Sequence, residues 1–182
     1  MLSQPIRPAL QPLAADPGAV TVRRLWKAMT PDERTAGITA SLNDDPEGWV
    51  KTATRAAVAT ALRFRAQTVA QFPKSKLVSE AARLPIDDAQ LLGGFLVDLH
   101  LGHRRPMMKA FLDGLAIEND DGRIDSEKTQ VPPQDDAAVA HAADALAARY
   151  PLDEVVTYFL TLLLQDAATW SGVQPWLAAH AE

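Results

Sequence analysis

The chain has 182 residues, carries a net charge of -5, contains no cysteine and is 47% hydrophobic, which suits one globular domain that buries a core without staples. The lack of cysteine excludes disulfides, thiolate metal sites and a cysteine nucleophile, and it fits a reducing, cytoplasmic setting. Prolines at 5, 8, 12 and 17 break up any signal-peptide core, and the longest strongly apolar run, Val155 to Leu164, falls well short of the ~20 residues that span a bilayer.

Charge is unevenly spread along the chain. Residues 1 to 83 carry 12 Lys+Arg against 7 Asp+Glu, and residues 84 to 182 carry 6 against 16. Such polarity steers charged partners or favours head-to-tail association, unless folding interleaves the two halves.

Residues 1 to 20 read as an extended, proline-rich arm, because each proline biases its predecessor away from the helical region. Residues 21 to 182 read as one all-α domain of about eight helices. Val20 to Met29 is a short amphipathic helix with Val22, Leu25, Trp26 and Met29 inward. Thr30-Pro31-Asp32-Glu33 then supplies an N-cap, a proline in the first turn and acids at the positive helix end, opening a helix to about Leu42. Asp45-Pro46-Glu47 repeats the device and predicts a long helix from Glu47 to about Gln71, ended by Phe72-Pro73.

Ser75 to Leu84 is predicted as a short helix, with Ser75 or Ser79 at its cap. The next opens at Pro85-Ile86-Asp87-Asp88 and runs to about Leu101 around Leu92, Phe95, Leu96 and Leu99. Gly93 and Gly94 weaken it by about 1 kcal/mol each relative to alanine, so another helix is expected to cross close there. Pro106 opens a helix to Ala116, with Met108, Phe111, Leu112 and Leu115 inward. Glu118 to Pro133 is irregular, with Asp121-Gly122 marking a tight turn and Ile117 and Ile124 able to flank a small hairpin.

Helices resume over Gln134 to Tyr150. The central element follows near residues 152 to 168, where apolar side chains occupy both faces and the helix must be wrapped by others. On this reading Phe159 and Leu163 face the core more fully than Tyr158. Trp170 to His180 closes the chain. The Pro-plus-acid openings at 30, 84 and 150 are unequally spaced, and this argues against a solenoid of fixed period.

Three constellations can carry chemistry. Asn119, Asp121, Gly122, Ile124 and Asp125 match the middle of a calcium-binding loop, but Ile117 and Lys128 stand where the first ligand and the bidentate glutamate belong. His100 and His103, three residues apart near Asp98, and His141 and Asp144, also three apart, form a candidate metal set. His103, Arg104, Arg105 and Lys109 form a candidate anion or partner site at the helix opened by Pro106. Lys51, Arg55 and Arg63 stripe the long helix, with Arg65, Lys74 and Lys76 near its end.

No nucleophile elbow, glycine-rich phosphate loop or helix-turn-helix signature is present. The pI near 5.3 argues against a dedicated nucleic-acid binder. The sequence therefore predicts a non-catalytic module that binds another protein or itself, away from membranes and with no cofactor assigned. The alternative is a metal- or anion-binding helical domain, with a hydrolytic role open to it, that uses the His100, His103, Arg104 and Arg105 region.

Overall fold

The computed structural model describes residues 5–45, 47–125, 131–132 and 134–181. The helix-opening role read into Pro46 and the end of the calcium-loop pattern at Lys128 lie outside these residues. Among the described residues the fold is all-α, with eleven α-helices, one 3-10 turn and no strand. The helices are α1 Gln11–Ala15, α2 Val22–Ala28, α3 Pro31–Asn43, α4 Trp49–Leu62, α5 Ala66–Ala70, α6 Lys74–Arg83, α7 Ala89–His103, α8 Arg105–Gly114, α9 Asp136–Ala147, α10 Leu152–Gln165 and α11 Val173–Ala179. They form two compact units, Met29–His103 and a split unit made of Met1–Ala28 with Arg104–Glu182.

In the split unit α10 is the core. Each residue from Val155 to Leu163 is buried, as expected of a helix apolar on all sides. Tyr158 is only 2% exposed, against 0% for Phe159 and 7% for Leu163, so the lesser role expected of Tyr158 is corrected. Its ring meets Phe111 edge-on at 5.8 Å, Phe111 packs on Phe159 at 4.9 Å, and Phe159 meets Trp176 edge-on at 5.2 Å. Edge-to-face pairs of this kind add about 0.5–1.5 kcal/mol to the area they bury. Desolvation in this cluster pushes the Tyr158 phenol far above its ordinary pKa.

The proline-rich arm is not extended throughout. Gln11–Ala15 is helical with Pro12 in its first turn, and Ile6, Leu10, Leu13 and Ala14 are buried. The Arg7 amide donates to the Asp153 carboxylate at 2.9 Å, tying the arm to the first turn of α10. On α8 it is Met107 at 1% exposure, rather than Met108, that lies in the core. The Asp121-Gly122 turn is as expected: φ is +48° and +85°, and Asp120 and Arg123 exchange both backbone hydrogen bonds, a type I′ turn.

In the Met29–His103 unit the closest pairing is α3 on α7. Thr30 and Glu33 close a full capping box at the start of α3. A Cβ placed on Gly37 would stand 2.6 Å from the Phe95 carbonyl oxygen, and one on Gly102 would stand 2.9 Å from Ala40 Cβ. At Gly93 and Gly94 no described heavy atom lies within 4 Å of such a Cβ. The close crossing expected at Gly93 and Gly94 is therefore made at Gly37 and Gly102.

The long helix expected from Glu47 to Gln71 is broken. Arg63 adopts φ +55°, ψ +37°, and the amide of Phe64 reaches back to the Ala59 carbonyl at 2.9 Å. That six-to-one bond is the Schellman ending of a helix. The left-handed position is held here by arginine, at a cost of about 1–2 kcal/mol, so the residue type gave no sign of it. The α4 start also shifts to Trp49, where the Asp45 carboxylate accepts from the Lys51 amide at 2.9 Å.

Candidate binding face

From Gly48 to Pro85 the sequence holds seven Lys or Arg (Lys51, Arg55, Arg63, Arg65, Lys74, Lys76 and Arg83) against one acid, Glu80. This stretch builds α4, α5 and α6. Glu80 is already engaged by the Arg83 guanidinium at 2.5 Å. The other six cations are exposed or, for Arg55, half-buried. They share the surface with Trp49, 45% exposed, and Phe64, 50% exposed, the two large hydrophobic side chains left in solvent among the described residues. Lys76 Nζ stands 4.1 Å above the Phe72 ring, a cation–π contact.

Two hollows flank α6. The first, about 240 Å³, is lined by Leu42 of α3, Lys51 and Arg55 of α4, and Phe72, Lys74 and Leu77. Lys51 and Arg55 are one helical turn apart and so share a face. Lys74 donates to the Asn43 side-chain carbonyl. The second hollow, about 550 Å³, is lined by Pro31, Arg34 and Thr35 of α3 with Ser75, Val78, Ser79, Ala82 and Arg83 of α6. In each, one arginine keeps a buried Nε that no described residue accepts from, Arg55 in the first and Arg34 in the second. A buried donor without an acceptor carries a desolvation cost.

The candidate anion site around Arg104 and Arg105 and the candidate metal set of His100, His103, His141 and Asp144 sit elsewhere. Arg104 is 6% exposed. Its guanidinium donates to Thr157 Oγ1 at 2.6 Å and lies 3.7 Å from the Glu154 carboxylate, while Thr157 in turn donates to the Glu154 carbonyl. That arrangement occupies Arg104 inside the core. Arg105 lies 3.7 Å from the Asp121 carboxylate, and Lys109 lies 2.5 Å from that of Asp113, so both exposed cations already face acids. The Asp113 carboxyl is held below its ordinary pKa by hydrogen bonds from Lys109 and Asn119. Asn119 also accepts from the Gly122 amide at 2.9 Å, so the pattern that resembled a calcium loop is a self-bonded turn.

His100 is 1% exposed in the last turn of α7, whereas His103 and His141 are exposed. The Asp144 carboxylate accepts from the Trp176 indole at 2.8 Å, joining α9 to α11. Among the described residues no group of three or more His, Asp or Glu is placed to hold a metal ion. Asp98 accepts from the Ser41 hydroxyl at 2.5 Å, and partial burial, with Asp44 nearby, raises its pKa.

The basic residues of α4 and α6 were visible in the sequence as a stripe. Their convergence was not, since it depends on the break at Arg63 and the return of α6 toward α4. No helix among the described residues is long and apolar enough to cross a membrane. The chain matches no protein-family model, no curated protein and no solved structure.

Proposed function

We propose that the protein is a non-catalytic, cytoplasmic interaction module whose α4–α6 face binds an acidic segment of a protein partner. The observation that carries this reading is the excess of cations from Gly48 to Pro85, seven Lys or Arg against Glu80, with Trp49 and Phe64 exposed at the two ends of α4. Exposed aromatics and arginines are the side chains most enriched at interface centres, and like charge around them selects an acidic partner. Among the described residues neither hollow is lined by a carboxylate or histidine, and this favours binding over turnover.

Fluorescence anisotropy with a labelled peptide rich in Glu and Leu, alongside labelled oligothymidylate, tests the proposal. The expected result is saturable peptide binding that weakens with salt and is lost in the triple variant Arg63→Glu, Arg65→Glu, Lys76→Glu at unchanged melting temperature. Tighter binding of the oligonucleotide would move the face to single-stranded nucleic acid. Binding that ignores the charge reversal would overturn the assignment of the face.

A further inference from the structure

We infer that the hollow between α3, α4 and α6 takes the C-terminal residue of a partner chain ending in a large apolar side chain. Resting on the binding face proposed above, this names the group that anchors there. The hollow has two chemically distinct sides. Leu42, Phe72 and Leu77 make an apolar floor, and Lys51, Arg55 and Lys74 supply cations with no acid among the lining residues. Its occupant is therefore both apolar and anionic.

Size narrows the choice. At about 240 Å³ the hollow lies below the ~300–1,000 Å³ of sites for drug-sized ligands, so it admits a group of about one residue. An internal Asp or Glu brings a carboxylate but little apolar body for the floor. An internal Leu or Phe brings the body but leaves the cations unmatched. A chain terminus places a carboxylate on the same Cα as an apolar side chain and so meets both demands. Arg55 lines the hollow with a guanidinium, the side-chain group whose fork of donors matches a carboxylate. Lys51 and Lys74 are exposed at the rim, where they draw the terminus in and add less to its grip.

The test uses the full chain and four probes: acetyl-Glu-Glu-Ser-Leu with a free carboxylate, the same peptide amidated, acetyl-Glu-Glu-Ser-Ser with a free carboxylate, and acetyl-leucine alone. Titration calorimetry is expected to show the first binding at least tenfold more tightly than the amide or the serine-ended peptide. Arg55→Met is expected to remove that preference at unchanged melting temperature. Equal binding of the free and amidated peptides, or a preference that survives Arg55→Met, overturns the inference. Acetyl-leucine binding as tightly as the tetrapeptide would also overturn it, in favour of a small-molecule carboxylate site. Loss of the labelled acidic peptide in the triple charge-reversal variant, with no effect of Arg55→Met on any probe, would keep the face and sink the hollow alone.

Discussion

Gly37 and Phe95 are in backbone contact across the α3–α7 crossing, close enough that a methyl group on Gly37 would sit 2.6 Å from the Phe95 carbonyl oxygen. The obstacle is a helix backbone, which cannot swing aside as a side-chain tip can. Gly37→Ala is therefore expected to separate the two helices and to cost several kcal/mol, well beyond the ~1 kcal/mol that alanine gains in helix propensity. Gly93→Ala and Gly94→Ala meet open space and are expected to be neutral or to stabilise by up to about 1 kcal/mol. Urea denaturation of the three variants checks the contrast, and equal effects would refute it.

Tyr158 and Phe159 are predicted to matter alike. Both are packed against Phe111 and buried, so alanine at either position is expected to cost about 3–5 kcal/mol. Leu163→Ala is expected to cost about 2–5 kcal/mol. A Tyr158→Ala loss below about 1 kcal/mol would mean that α10 is open on that side.

Arg104 is expected to act on stability alone. Losing its charged hydrogen bond to Thr157 in Arg104→Ala should cost about 1.5–3 kcal/mol. Arg104→Lys should recover only part of that, because an ammonium cannot reproduce the guanidinium fork. In the double variant Arg104→Glu, Arg105→Glu, the melting temperature should fall while acidic-peptide binding by the remaining folded protein persists. Unchanged melting with lost binding would return the functional surface to Arg104 and Arg105.

Asp98 predicts a pH dependence of defined sign. Burial raises its folded pKa above 3.8, so the folded state holds the proton more tightly than the unfolded chain. Below 3.8 both states are protonated and the group contributes no slope. As pH climbs from there through the raised folded value, stability is lost, and the loss persists at neutral pH. Asp98→Asn keeps an acceptor for the Ser41 hydroxyl and removes this titration. Its stability relative to wild type should therefore be higher at pH 7 than at pH 3.5, as read from urea midpoints; a difference independent of pH would refute the assignment.

Helix starts were legible because their chemistry is local. Thr30 with Glu33 caps the helix it was placed before, whereas Asp88 and Asp135, expected inside the first turns of their helices, act as the caps by accepting from the Leu91 and Ala138 amides. The central helix was legible from composition alone, since few segments are apolar on both faces. What escaped is set by contacts distant in sequence. A glycine reports that the backbone tolerates a close approach without saying whether one occurs, so Gly93 and Gly94 misled while Gly37 went unnoticed. Arginine at a left-handed helix end is rare, and Arg63 therefore hid the break that reshapes the basic stretch. Arg104 looked like a loop cation because its acceptor, Thr157, lies 53 residues away.

The split unit has a further consequence during synthesis. Its chain leaves at Ala28 and returns at Arg104, and its central helix is made later still. A ribosome thus delivers all of Met29–His103 before α10 exists, while Leu10, Leu13 and Leu25 wait without the surface that covers them. The Met29–His103 unit can fold as it emerges, but the arm and α2 depend on long-range closure after most of the chain has been translated. Stalled or truncated products ending before α10 would expose those leucines, which makes them natural targets for chaperones.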